Sequence, residues 1–342
     1  MVSIEGGGAG VCGCPNLNFY FAMNPATTTD SASSIAPRAL DVWTRLPAAY
    51  AIPDSAPSIE KARDYCRQLA RTHYENFSVA TWFLPEKLRQ DFLNVYAYCR
   101  ISDDLGDEVG NPAASLALLD AWETQLDACY SGAPRHPVFV ALAETVRKFD
   151  IPKHEFSDLL IAFRQDQSIT RFETFSDVLA YCRYSANPVG HLVLYLCGYR
   201  DAERQQLSDS TCTALQLANF WQDVTVDYSK GRIYIPLEDL RRYAVTEDDL
   251  ALNCNTVAFC DMMKFEVLRA REWFNRGLPL VKRVDSELAV DLELFTRGGQ
   301  EILNAIERQR FAVLGNRPVI SKPRKLALLA RAAAGKLLGS LL

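Results

Sequence analysis

Two groups of acidic side chains in this sequence recur at four-residue spacing. The first sits in Arg100-Ile101-Ser102-Asp103-Asp104-Leu105-Gly106-Asp107-Glu108, near the end of a stretch whose apolar residues repeat with helical period. Asp103 and Asp107 share one helix face, with Arg100 a turn earlier on the same side. Like charges at that spacing destabilise a bare helix by roughly 0.2–0.5 kcal/mol, and Gly106 costs about 1 kcal/mol more. A compensating partner is therefore expected. Magnesium suits the role, because it binds through one or two carboxylates together with substrate phosphate oxygens. Taken alone, the motif is equally compatible with an exposed acidic helix end.

The second group is Asn219-Phe220-Trp221-Gln222-Asp223-Val224-Thr225-Val226-Asp227, where Asn219, Asp223 and Asp227 form one oxygen-bearing stripe. Phe220, Trp221 and Val224 fall on other faces and can pack. A solvated face is again the alternative, but two such stripes with adjoining basic groups (Arg100; Lys230 and Arg232) make coincidence a poor explanation. Two carboxylate-bearing helices facing each other across a cavity could bridge magnesium ions to a leaving diphosphate and neutralise charge as the carbon–oxygen bond breaks. Aromatic faces among the 14 tyrosines and 17 phenylalanines could steady a carbocation, although core packing is the ordinary role for most of them.

The elements that would position these stripes are helical almost throughout. From Ser58 onward, apolar residues recur every three or four positions, with breaks at Pro53, Pro85, Asn111-Pro112, Pro137 and Pro152. The pattern predicts helices over 58–80, 86–109, 113–130, 137–149, 154–167, 174–198, 201–226, 257–277 and 284–311. The expected fold is an all-α, single-domain bundle over residues 51–318, preceded by a flexible Gly- and Ser/Thr-rich leader (1–50) and followed by a helical tail (319–342). That tail either lies on a membrane surface or packs on the domain itself.

Composition narrows the function. A chain of 342 residues with 49% hydrophobic content can bury a large core, and a formal net charge of −5 argues against a general nucleic-acid binder. The ten cysteines lack the density of a disulfide scaffold and read as reduced thiols. The pair Cys12 and Cys14 has no partner at zinc spacing. No basic-then-apolar leader and no apolar run of about 18 residues occurs, so a cytoplasmic protein is expected, with peripheral contact on the inner face of a membrane. His73 and His191 read as packed or hydrogen-bonded structural histidines.

The ordered motifs His73-Tyr74-Glu75-Asn76-Phe77-Ser78, Val95-Tyr96-Ala97-Tyr98-Cys99-Arg100 with Asp103–Glu108, Tyr181-Cys182-Arg183-Tyr184-Ser185-Ala186-Asn187-Pro188-Val189-Gly190, and Asn219–Asp227 with Arg232-Ile233-Tyr234-Ile235-Pro236 resemble the squalene/phytoene synthase family. The resemblance covers residues 58 to about 318 and implies an isoprenoid synthase-type bundle with a central prenyl channel. It implies that Asp103, Asp107, Asn219, Asp223 and Asp227 hold a Mg²⁺–diphosphate assembly, that Arg100 contacts diphosphate and that Tyr181 takes part in catalysis. Ala186, Val189 and Gly190 match the hinge of a broken helix lining the channel. Asn76, Tyr96, Gln222 and Arg232 complete the expected substrate-binding set.

Within the family, Tyr74–Ala80, Ser185–Gly190 and Asn219–Val224 look like hydroxysqualene synthase of the bacterial hopanoid route. Gln222 stands where squalene and phytoene synthases usually have arginine, and Tyr74 and Asn76 replace serines. The expected reaction is loss of diphosphate from presqualene diphosphate, rearrangement of the cyclopropylcarbinyl cation and capture by water, without NADPH. Gly6-Gly7-Gly8 has no strand-to-helix context for a dinucleotide. Functional coupling to a presqualene diphosphate synthase and to a hydroxysqualene-reducing enzyme would follow. The alternatives are a presqualene diphosphate, squalene or phytoene synthase that condenses two prenyl diphosphates, and a non-catalytic helical assembly factor.

Overall fold

The computed structural model describes residues 50–72 and 86–339. The leader, Cys12 and Cys14, and the His73–Ser78 motif with Asn76 lie outside the described residues. Among the described residues there are thirteen α-helices and no strand, only an isolated parallel bridge between Arg171 and Ile233.

Helices α1 (Ile59–Thr72), α2 (Arg89–Asp107), α3 (Pro112–Ser131), α4 (Pro137–Phe149) and α5 (His154–Gln165) build one side. Then come α6 (Phe175–Ser185), α7 (Asn187–Leu196) and the long α8 (Ala202–Ser229). The short α9 (Leu237–Arg242) and α10 (Glu247–Ala251) precede α11 (Val257–Gly277), α12 (Ser286–Arg308) and α13 (Lys322–Gly339). Short polar side chains set the starts. Asn111 accepts from the Ala114 N–H at 3.0 Å, Thr174 and Thr246 form capping boxes with Asp177 and Asp249, and Asp201, Thr256 and Asp285 cap α8, α11 and α12. Each such cap contributes about 1 kcal/mol.

The segment 174–198, read from sequence as one helix, is two. Ala186 leaves helical geometry at φ −124°, ψ −46°, and Pro188 in the first turn of α7 lacks the N–H that a continuous helix would use. The stretch 237–251, to which the sequence pattern assigns no helix, holds α9 and α10, which are too short to give a periodic signal.

The buried apolar residues form two large cores. One joins α1–α5 and α7 around Trp122, Tyr98, Phe139 and Phe156; the other joins α6 and α8 to α9–α12 around Trp221, Phe220, Phe259 and Phe274. Helices α2 and α8 belong to different cores and do not pack closely on each other. The polar residues of both therefore meet along a seam between the cores.

Glycines let helices approach where the seam closes. A Cβ on Gly106 would stand 3.1 Å from the Phe163 ring of α5, so its cost within α2 is offset by helix packing as well as by any ligand. A Cβ on Gly190 would fall 2.2 Å from Ser208 Oγ and 2.6 Å from Cys212 Sγ. Gly190→Val is expected to lower stability by about 1–3 kcal/mol through overpacking between α7 and α8. Urea unfolding followed by far-UV circular dichroism measures it, and a wild-type midpoint would show that α7 can shift freely.

His191 joins the same helices electrostatically. Its Nδ1 lies 2.9 Å from Glu155 Oε2 on α5 and its Nε2 2.7 Å from Asp209 Oδ1 on α8. Burial pulls its pKa down, but the bonds to Asp209 and Glu155 outweigh burial and raise it to about 9. A folded pKa above the unfolded value means that the stabilisation is complete below about pH 6.5 and is lost as pH rises through about 9. Melting temperature measured from pH 6 to pH 10 should fall more steeply for the wild type than for His191→Gln. Parallel curves would remove His191 from the linkage.

The tail adopts the domain-packed arrangement on one face. Leu328, Leu329 and Ala332 of α13 pack on Val290 and Leu294 of α12, and Arg324 pairs with Glu301 at 3.0 Å. Leu326 is exposed. Among the described residues, no helix is long and apolar enough to cross a membrane.

Candidate active site between two aspartate-bearing helices

The two stripes face each other across the seam because of how α8 ends. Gly231, at φ +80°, turns the chain in the left-handed conformation that glycine adopts most easily, so the Arg232 N–H returns to the Asp227 carbonyl at 2.8 Å. The turn sends the Arg232 side chain back to α2. There Nη2 donates to Asp107 Oδ1 at 3.1 Å and Nη1 to Oδ2 at 3.4 Å, while Lys230 Nζ lies 3.7 Å from Asp107 Oδ2. Arg232 Nη2 also reaches the Asp166 carbonyl at 3.4 Å. The Asp107 side chain is 2% exposed.

On α2, Arg100 pairs mainly with Asp104, through Nε–Oδ2 at 3.3 Å and a second Nη2–Oδ1 bond, and more loosely with Asp103 at 3.4 Å. Tyr50 donates to the same Asp104 carboxylate at 2.9 Å. The sequence reading placed Arg100 toward diphosphate and gave Asp104 no role, whereas here Asp104 holds the guanidinium. Tyr96, one turn before Arg100, is pushed up to about 12 by burial, with the Arg100 charge opposing.

Asp103, Asp104, Asp107, Glu108, Asp166, Asp223 and Asp227 outnumber Arg100, Lys230, Arg232, Arg317 and Lys325 among the described charges around the seam. The imbalance is sharpest at Asp227. It is buried, neither carboxylate oxygen has a hydrogen-bond partner, and burial with the neighbouring Asp223 charge pushes its pKa well above the usual range. Asp103 Oδ1 is likewise buried without a partner, and burial raises Asp103 to about 7 against the pull of Arg100. Buried carboxylates are ordinarily paired, so these oxygens mark where positive charge belongs. Among the described residues, no group of three or more His, Cys, Asp or Glu side chains converges to hold a metal by itself. The unpartnered oxygens of Asp103 and Asp227 fit an ion such as magnesium, which takes few protein carboxylates and fills its shell with water and phosphate oxygens.

Beneath the carboxylates lies an aromatic cluster. Phe220 and Tyr234 stack at 3.9 Å with planes 7° apart, and Tyr181 and Phe172 lie 5.7 and 5.6 Å from Tyr234. Tyr181 donates to Asp166 Oδ2 at 3.1 Å. A shallow cleft is lined by Phe220, Val224, Asp227 and Arg232–Ile235, so it joins the carboxylate seam to the aromatic wall.

The structure thus brings together Asp103, Asp107, Asp227, Tyr181 and Arg232, with Asn219 and Asp223 buried on the same α8 stripe. Ala186 sits at the break between α6 and α7, with Val189 and Gly190 in the first turns after it. Gln222 departs from its expected substrate-facing role: its Nε2 donates to the Pro318 carbonyl at 2.6 Å and its Oε1 accepts from Arg317. Sequence reasoning missed Arg317; it placed Asp166 and Arg164 on a helix that could face the cavity, with only their residue type to recommend them. Arg164 turns to Asp120 and Glu123 instead.

The squalene/phytoene synthase family model matches residues 70–324. Among similar chains is a 15-cis-phytoene synthase from Synechocystis sp., 31% identical over 287 residues, 80% of this chain and 84% of that one. Squalene synthase HpnC from Alicyclobacillus acidocaldarius is 41% identical, with a TM-score of 0.72 over 79% of this chain and 98% of that structure. A dehydrosqualene synthase crystallised with ligand gives a TM-score of 0.74 at 28% identity, covering 82% and 98%. The two solved structures share the all-α isoprenoid synthase-type fold described above. The chain is therefore an enzyme of the squalene/phytoene synthase family, which acts on prenyl diphosphates.

Proposed function

We propose that this enzyme converts presqualene diphosphate and water to hydroxysqualene and diphosphate, with magnesium as cofactor and without a nicotinamide cofactor. The observation that carries the reading is Asp227, a buried carboxylate with no hydrogen-bond partner, set opposite Asp107 and beside the aromatic cluster. Asp103, Asp107, Asn219, Asp223 and Asp227 are the residues that would hold magnesium. Bound there, the ion would supply electrophilic stabilisation of the departing diphosphate.

The chain's own groups account for the remaining work. Arg232 and Lys230, fixed at the end of α8, place cationic donors where negative charge develops on the leaving group. Arg100 would join them by exchanging part of its pairing with Asp104. The faces of Phe220, Tyr234, Tyr181 and Phe172 offer cation–π stabilisation to the cyclopropylcarbinyl and allylic cations that follow. Asp166 fixes the Tyr181 hydroxyl, so that ring is held in one orientation.

HpnC at 41% identity supports a C30 reaction, and Tyr74 and Asn76 in place of the serines usual in condensing members support a ready-made presqualene diphosphate substrate. The phytoene synthase relatives support a second reading, condensation of two prenyl diphosphates. Incubation with presqualene diphosphate and Mg²⁺, without nicotinamide, followed by mass spectrometry separates them. Hydroxysqualene that disappears on chelation is the expected product. Turnover of farnesyl or geranylgeranyl diphosphate alone, with presqualene diphosphate untouched, would establish the condensing reading instead.

A further inference from the structure

The chain between α12 and α13 runs along α8 and is fastened to it and to the neighbouring loop. The Asn255 side chain exchanges two bonds with the Leu314 backbone, at 2.9 and 3.0 Å. The Gly315 N–H donates to Thr225 Oγ1 at 2.9 Å, and Thr225 in turn donates to Asn253 at 3.1 Å. Gln222 then takes the Pro318 carbonyl at 2.6 Å. Between these anchors, Arg317 lies across Asp223, with Nε on Oδ1 and Nη2 on Oδ2, the latter at 3.0 Å; a further bond reaches Gln222 Oε1 at 3.3 Å.

Two carboxylates one turn apart on α8 are thus treated differently. Asp227 has no hydrogen-bond partner, whereas both oxygens of Asp223 are taken by a guanidinium brought from 94 residues away. A bidentate guanidinium occupies the directions through which a carboxylate binds a metal, and a divalent cation repels it at close range. Both cannot hold Asp223 in the same way.

We propose that Arg317 is an internal counter-ion of Asp223 that a divalent cation must displace, and that its displacement loosens segment 313–318 from α8. The inference rests on the reading of Asp223 as a metal ligand. Gln222 gives the guanidinium a second acceptor to retain as it leaves, so the exchange is a short swing. Site loading is thereby coupled to the segment that leads into the basic helix α13.

The test uses the full chain, Mn²⁺ as probe and inorganic pyrophosphate. Wild type and Arg317→Gln are titrated with Mn²⁺ in saturating pyrophosphate, by calorimetry and by the electron paramagnetic resonance signal of unbound Mn²⁺. Hydrogen exchange at the Leu314 and Gly315 amides is followed with and without both additives. Arg317→Gln should bind Mn²⁺ about tenfold more tightly, the scale of one charge-assisted hydrogen bond that no longer has to be broken. In the wild type, the two amides should exchange faster once the site is loaded. Should the variant not fold, the wild-type exchange alone decides. Unchanged affinity and unchanged exchange would overturn the displacement while leaving the metal site standing. Weaker Mn²⁺ binding by the variant would make Arg317 a ligand of the anion and overturn it too. No Mn²⁺ binding by the wild type would overturn both the displacement and the metal reading beneath it.

Discussion

Asp227→Asn is expected to lower turnover on the order of 10²–10³-fold or more, while the melting temperature of the chelated protein stays level or rises. The two effects separate because the wild-type carboxylate is a burden on the fold. It is buried, has no hydrogen-bond partner, and burial with the adjacent Asp223 holds its pKa high. Asparagine keeps the shape and removes the charge, so the scaffold loses no ion pair. A positively charged ligand, by contrast, loses its attachment. Steady-state assays beside calorimetry of the chelated protein would check this. Normal turnover with a lowered melting temperature would make Asp227 part of the scaffold and remove it from the site.

Arg232→Met should have the largest effect on stability of any substitution in the site, a loss of about 3–5 kcal/mol. Arg232 is the bidentate partner of Asp107, whose side chain is 2% exposed, and its charge also offsets Asp227. Methionine keeps most of the volume, so the loss measures uncompensated negative charge. The double variant Arg232→Met/Asp107→Asn should recover much of that stability, because both partners of the pair are then neutral. Its activity should not return. Urea denaturation of the two single variants and the double variant tests the point, and an additive double variant would mean that the pair contributes little.

The aspartate stripes were legible in the sequence because each is local: four-residue spacing within one helix fixes which side chains share a face, whatever the rest of the chain does. The Asn111-Pro112 break and the helix starts at 174 and 201 were equally open to local reading. The break at Ala186 was not, since the periodic pattern runs through it; Pro188 was the only local hint, and the resemblance supplied the hinge. Arg317 and the pairing of Arg100 with Asp104 eluded the sequence for a different reason. Arg317 reaches Asp223 across 94 residues of chain, and Arg232 reaches Asp107 across 125. Such contacts depend on how helices assemble, which residue spacing does not record. Asp104 was hidden by its neighbours, because one guanidinium among several carboxylates has no partner that its position alone determines.

The seam between the two apolar cores makes this enzyme's cohesion and its chemistry draw on the same atoms. Lys230 and Arg232 bind the α8 side to α2 by holding Asp107, yet they are also the cations a diphosphate would recruit. On the proposed reading, an arriving polyanion would loosen one cross-brace as it forms another, and the bound reactants would become a structural member of the protein for the length of a turnover. Re-forming the original brace would then favour release of product, so the contact that steadies the resting molecule would also help to expel what it has made.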